Sequence, residues 1–595
     1  AEMAKTYAEV AQRASRLLTQ FMEKKAKEGA SAPTDELGVA KAFMDLSARL
    51  MANPYKLAQT QMNMMWDYFS LWQNTTMKMM GMPVAAPVAA PRKGDNRFKD
   101  EEWEQHFLFD FVKQSYLITA RHLHDTVAGV EGLDEATQLK VNFFTRQYID
   151  ALSPSNFALT NPEVFRETVK SHGQNLIKGL NNLLNDVTDD GQLRIRMTDT
   201  SAFEMGKNVA TTPGKVIFQN EMFQLIQFDP ATPDQYKRPF LIVPPWINKY
   251  YILDLREKNS MIKWATDQGY TTFVISWINP DEKLAAKSFE DYLLEGSMEA
   301  VTQVCAQTGE DSVNMAGYCL GGTLVMTTLA YMAAKKDKRG NSGTFFTTML
   351  DFSEPGELRV FLDEETVAGL EKKMFERGYH DGGMMAGTFN MLRANDLIWS
   401  FVVNNYLLGK DPFPFDLLFW NSDSTRLPAA MHSYYLRNMY LDNNLVKPGY
   451  LTLGGVKIDL RKVKVPCYFI STVEDHIAPW KSTYMGARLP SGPTKFVLGG
   501  SGHIAGIVNP PVANKYGYWT NDATDGNLPE DPQDFLAGAT QNPGSWWTHW
   551  NEWLTSLPGG SAKVKARNPE DGPLAVIEPA PGSYVKFRLD AQKKS

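Results

Sequence analysis

The sequence predicts an α/β fold, a mostly parallel sheet covered by helices, preceded by a mostly helical domain. Three observations predict it. Residues 1–200 carry helical apolar periodicity, and near residue 214 the period changes to the alternation of strands. From there short apolar runs of strand length alternate with helical stretches. Finally, Gly317-Tyr318-Cys319-Leu320-Gly321 stands between the apolar run 312–316 and a second one at 320–332, a strand, a sharp turn and a helix.

The elements follow in order. Leu57, Met64, Tyr68 and Leu71 share one helical face, with Met65 and Trp72 beside them, in a methionine-dense stretch from Met62 to Met82. "PVAAPVAAP" at 83–91 ends that helix, because proline lacks the N–H and clashes with the preceding turn. Residues 1–95 therefore read as a separate helical arm with an Ala/Pro linker, and 96–200 as a helical domain. "KVIFQNEMFQLIQF" reads as a hairpin entering a sheet, and residues 240–245, 271–277, 312–317, 344–352, 466–472 and 494–500 read as strands. The intervals 254–267 and 320–334 read as helices. One long aromatic- and methionine-rich interval, about 353–445, breaks the rhythm and suits a helical cap inserted in an α/β domain spanning 201–595.

Composition narrows the class. The chain has 595 residues, 43% of them hydrophobic, and a net charge of −7, which argues against a general nucleic-acid binder. Its three cysteines, Cys305, Cys319 and Cys467, form no framework for disulfides or zinc, so a reducing, cytoplasmic setting is expected. The first twenty residues lack a signal-like apolar core, and no apolar run is long enough to span a bilayer.

The glycines of G-x-C-x-G leave room for a strained turn between strand and helix, so Cys319 reads as a nucleophile rather than a small core residue. A thiol needs a base, and the base an orienting acid, on loops after later strands. "STVEDHIAPW" offers Glu474, Asp475 and His476, and "LGGSGHIAG" offers His503. His476 directly follows Asp475, and adjacent side chains rarely bond each other, so Cys319, Asp475 and His503 are the preferred set, in the chain order of an α/β-hydrolase fold. Gly500 to Ala505 also fit a dinucleotide-binding pattern, but at the end of the sheet rather than its first unit. The backbone N–H of Leu320 is one expected oxyanion donor; Pro244 and Pro245 have none, so Trp246 or Ile247 supplies the other.

G-Y-C-L-G-G at 317–322, "PPWINKYYILDL" at 244–255, "FWNSDSTRLP" at 419–428, "VEDHIAPW" at 473–480 and "SGHIAGIVNPP" at 501–511 resemble segments of the class I polyhydroxyalkanoate synthases. "SPSNFALTNPE", "NKYGYW", "GSWW" and "PAPGSYVKFR" extend the resemblance from about Asn96 to the C-terminal segment. Trp246 stands where the family often has a smaller residue. The resemblance implies that Cys319 holds a growing acyl chain, that His503 activates it, and that Asp475 assists His503 or acts on the substrate hydroxyl. It implies (R)-3-hydroxyacyl-CoA substrates, a polyester product stored as cytoplasmic granules, a homodimer, and no cofactor or metal. Ala505, two residues after His503, and Trp420 are taken to border the acyl pocket. Two other readings stand beside it: a thioesterase or depolymerase-like cysteine hydrolase with the same three residues, and a granule-coating protein acting through the Met-rich helix.

Overall fold

The computed structural model describes residue 12 and residues 37–84, 86–187 and 193–589. The contacts divide the chain into two units, one of residues 1–199 with 387–413, the other of 200–386 with 414–595.

The first unit is helical. Pro54–Met79 begins with Asn53, whose side chain accepts the Lys56 N–H, and with Pro54 at the position where a missing N–H costs nothing. It packs on Phe107–Ala128 around Leu71 and Ile118, both fully buried. Tyr68 donates its hydroxyl hydrogen to Ser115 O at 3.1 Å, and Gln114 Oε1 accepts from Val88 N at 2.8 Å, inside the Ala/Pro segment. The arm expected to be separate is thus packed on the helical domain; a local proline signal says where a helix stops, not whether it docks. The other face of Pro54–Met79 leaves Met62, Met65, Trp66, Phe69 and Trp72 exposed. No helix among the described residues is long and apolar enough to cross a membrane.

Residues 387–413, inside the interval read as the cap, belong to this first unit. Asn182 Nδ2 donates to Asn405 O at 3.1 Å, Tyr406 OH to Asp186 Oδ2 at 2.7 Å, and a Cβ on Gly179 would strike the Tyr406 carbonyl.

The second unit is built on an 11-stranded sheet. In chain order its strands are β1 (Gly214–Gln219), β2 (Phe223–Phe228), β3 (Phe240–Val243), β4 (Thr272–Trp277), β5 (Val313–Tyr318), β6 (Gly340–Phe346), β7 (Cys467–Thr472), β8 (Thr494–Gly499), β9 (Tyr518–Thr520), β10 (Thr540–Asn542) and β11 (Glu578–Pro579). Their spatial order is β10-β9-β8-β7-β6-β5-β3-β4-β2-β1-β11, with β4-β3-β5-β6-β7-β8 parallel and the flanks antiparallel. Every residue of β3, β4, β5 and β7 is buried, as expected for parallel strands covered on both faces. The hairpin forms with a bulge between Val216 and Phe218. The strand read at 344–352 starts earlier and ends at Phe346, because its first residues, Gly340 to Ser342, pair with β5 despite little apolar signal. The helix read at 254–267 is shorter, Met261–Asp267.

Candidate active site

Cys319 ends β5 and opens the helix Leu320–Lys335. Its φ of 52° is left-handed, a conformation that costs a non-glycine residue energy, and its N–H donates to Phe346 O at 2.8 Å. The glycines hold the turn by contact. A Cβ on Gly317 would overlap Gly322, one on Gly321 would run into Val243 O and Pro244, and one on Gly322 would strike Thr348. Leu320 is the first helical residue, so its N–H has no partner within the helix. The next residue, Gly321, abuts Val243 O and Pro244 at the end of β3, and in the loop that follows, the Trp246 and Ile247 N–H groups have no backbone carbonyl acceptor among the described residues.

Two loops continue the β7–β8 pairing beyond the sheet. Val473 N donates to Gly499 O and Glu474 N to Ser501 O, both at 3.0 Å. That zipper brings Asp475 to His503, with Oδ2 2.7 Å from Nδ1. The other carboxylate oxygen accepts the Ile477 and Ala478 N–H groups at 2.8 and 2.9 Å. His503 and Asp475 are both buried. Burial alone would pull the His503 pKa down; the Asp475 carboxylate and the neighbouring Cys319 more than offset it and push it up to about 10. The three residues singled out in the sequence are thus brought together.

Other residues enter that sequence reasoning did not assign. Tyr318 stacks on the His503 ring at 5.6 Å and donates its hydroxyl hydrogen to His503 O at 3.1 Å. Trp546 and Trp547, in "GSWW", donate their indole hydrogens to Gly506 O and Ile507 O at 3.0 and 2.9 Å, bracing the turn that carries His503. Tyr435 and Tyr440 lie near enough to Cys319 to feel its charge; burial first, then Tyr440 and that charge for Tyr435 and that charge for Tyr440, push both phenols up and keep them protonated. Tyr435 also meets the Trp246 ring edge-on at 5.6 Å. Only a long-range fold relates these tyrosines to Cys319, so no spacing could have found them.

Ala505 is half-buried in the His503 turn. Trp420 is buried, and its indole N–H donates to Lys249 O at 2.7 Å, which makes it a brace for the loop after β3. Cys467 is fully buried and Cys305 half-buried, and burial pushes both thiols up, away from thiolate formation. Among the described residues no cluster of three His, Cys, Asp or Glu side chains is arranged to hold a metal.

The parallel sheet, the strained turn at the end of β5 and the loops after β7 and β8 define an α/β-hydrolase-fold protein, and residues 239–510 match the family model for that fold. Residues 94–265 match the model described as the N-terminus of poly-β-hydroxybutyrate polymerase. The chain is 48% identical to a poly(3-hydroxyalkanoate) polymerase subunit of Rhizobium meliloti, over 92% of this chain and 89% of that one. It is 48% identical to the polymerase of Methylorubrum extorquens over 90% and 88%, and 42% identical to that of Cupriavidus necator over 92% and 91%. The chain belongs to the poly(3-hydroxyalkanoate) polymerase family.

Proposed function

We propose that this protein polymerises short-chain (R)-3-hydroxyacyl-CoA thioesters into a polyester, releasing CoA, with Cys319 as the covalent nucleophile. The observation that carries the reading is the Cys319, His503 and Asp475 constellation in a chain of this family.

The Cys319 sulfur, its proton taken by His503, attacks the thioester carbonyl. The oxyanion forms against the Leu320 N–H and one from Trp246 or Ile247, the C–S bond to CoA breaks, and the CoA thiolate takes the proton back. Exchange of one thioester for another is nearly isoenergetic, so loading is reversible. An incoming 3-hydroxyacyl-CoA then loses its hydroxyl proton to His503, and its oxygen attacks the Cys319 thioester. An oxygen ester forms, the C–S bond breaks and Cys319 is freed. The extended chain is still a CoA thioester and returns to Cys319 with loss of CoA. One thiol per chain suffices for this cycle, which agrees with the raised pKa of Cys305 and Cys467.

His503 changes character through the cycle. While Cys319 is a thiolate, its charge helps hold the imidazolium. Once Cys319 is acylated that charge is gone, the His503 pKa falls, and the neutral ring is available to take the hydroxyl proton. Asp475 spends one oxygen on two backbone N–H groups and the other on His503, which favours action through His503 over direct contact with the substrate hydroxyl. The aromatic residues Trp246, Phe352, Tyr435 and Tyr440, packed on one another, suit a site that limits hydrolysis.

The exposed apolar face of Pro54–Met79 suits adhesion to the polyester, and the reading includes a cytoplasmic, granule-bound homodimer. Supplying 3-hydroxybutyryl-CoA tests the function. CoA release with insoluble polymer is expected; CoA release with free 3-hydroxybutyrate alone would make the protein a thioesterase.

A further inference from the structure

The loop after β3 carries a positive φ of 61° at Asn248, a conformation a side-chain-bearing residue holds only when its surroundings enforce it. A single hydroxyl does so. Thr425 Oγ1 accepts the Asn248 N–H at 2.8 Å and donates its own hydrogen to Trp246 O at 3.0 Å, spanning Ile247 from both sides. Thr425 is buried.

The segment that carries Thr425 is itself tied to the same loop. Lys249 Nζ bonds Asp423 Oδ2 at 2.9 Å, Val585 O at 2.8 Å and Phe587 O at 2.6 Å, and lies 2.8 Å from Asp423 Oδ1. Asp423 also accepts the Tyr251 hydroxyl hydrogen at 3.0 Å. Lys249 and Asp423 are both buried, and such a pair is tolerated only when its remaining hydrogen-bonding capacity is met, as the two tail carbonyls do here.

We propose that Thr425 is a positioning residue for acyl transfer. Its hydroxyl holds the 246–248 backbone so that this loop presents its N–H groups to the developing oxyanion. The Asp423–Lys249 pair, completed by the carbonyls of Val585 and Phe587, keeps Thr425 and the loop in register. Thr425 touches no reacting atom; it acts through the loop. The inference rests on the acyl-transfer reading above.

Thr425→Val keeps the side-chain shape and removes both hydrogen bonds, whereas Thr425→Ser keeps the hydroxyl. Two rates are read on folded, full-length protein with matched melting temperatures: single-turnover CoA release from 3-hydroxybutyryl-CoA, and alkylation of Cys319 by iodoacetamide. Alkylation depends on the thiolate and His503 but has no acyl oxyanion. Thr425→Val is expected to slow CoA release about 10- to 100-fold with alkylation unchanged, and Thr425→Ser to release CoA like the wild type with alkylation again unchanged. Wild-type CoA release in Thr425→Val, or an equal loss of alkylation, overturns the positioning role. Failure of the wild type itself to release CoA would instead remove the acyl-transfer reading on which it stands.

Discussion

The loops around Cys319 and the outer face of Pro54–Met79 treat their side chains in contrary ways. Around Cys319 the base and its acid are held by specified partners: Asp475 is bound by three donors, His503 by Asp475, and the His503 carbonyl by Tyr318. On the helix, Trp66 is 65% and Met65 70% exposed. Chemistry needs fixed distances, so the first region is built from backbone contacts and buried hydrogen bonds. The adhesion to polyester proposed above would need area without register, and flexible methionines with aromatic rings could supply that.

The sharpest way to break the comparison is to remove the thiol. Cys319→Ala is expected to abolish CoA release while melting like the wild type, since the turn is held by its glycines. Turnover within about tenfold of wild type would end the covalent mechanism.

Asp475→Asn comes next. His503 loses its main source of basicity, so elongation, which must deprotonate a hydroxyl, is expected to fall about 100-fold or more, and loading of the more acidic thiol about tenfold. Rapid quenching should find a short acyl adduct accumulating on Cys319; equal losses would mean that Asp475 only orients the ring. The stability sign is fixed too. His503 is raised from 6.5 to about 10, so its pairing with Asp475 contributes fully below pH 6.5 and is lost as the pH rises through about 10. The melting-temperature gap between wild type and variant should close over that interval.

A paired substitution probes the helix. Leu71→Ala, on the packed face, is expected to cost about 2–5 kcal/mol of unfolding stability, and Trp66→Gln, on the exposed face, within about 0.5 kcal/mol. Trp66→Gln should instead weaken sedimentation with polyester granules. The reverse pattern would mean that the exposed face is covered in the folded protein.

The smallest effect is expected at Ala505. Enlarging it should change the preference between four-carbon and longer monomers by no more than about tenfold, measured as polymer composition. An unchanged composition would put its side chain outside the acyl pocket.

Much of the second unit was legible because its signals are local. Strands β3, β4, β5, β7 and β8 stand where apolar runs end in turn residues, and the glycines about Cys319 announce the turn that their contacts require. The short strands β9, β10 and β11 were not legible, since three residues or fewer give no period. Nor was the docking of 387–413 in the first unit, because composition marks a segment as apolar without naming what it covers. Thr425, Tyr435 and Tyr440 follow the same rule: each acts across more than a hundred residues of chain, on a partner that only tertiary structure supplies.

The braces on this site come late in the chain. A polypeptide made from its N-terminus carries Cys319 long before it has Trp546 and Trp547 to hold the His503 turn, or Val585 and Phe587 to complete Lys249. During synthesis the thiol is therefore present without its finished surroundings. A chain made only as far as Cys319 has none of these contacts.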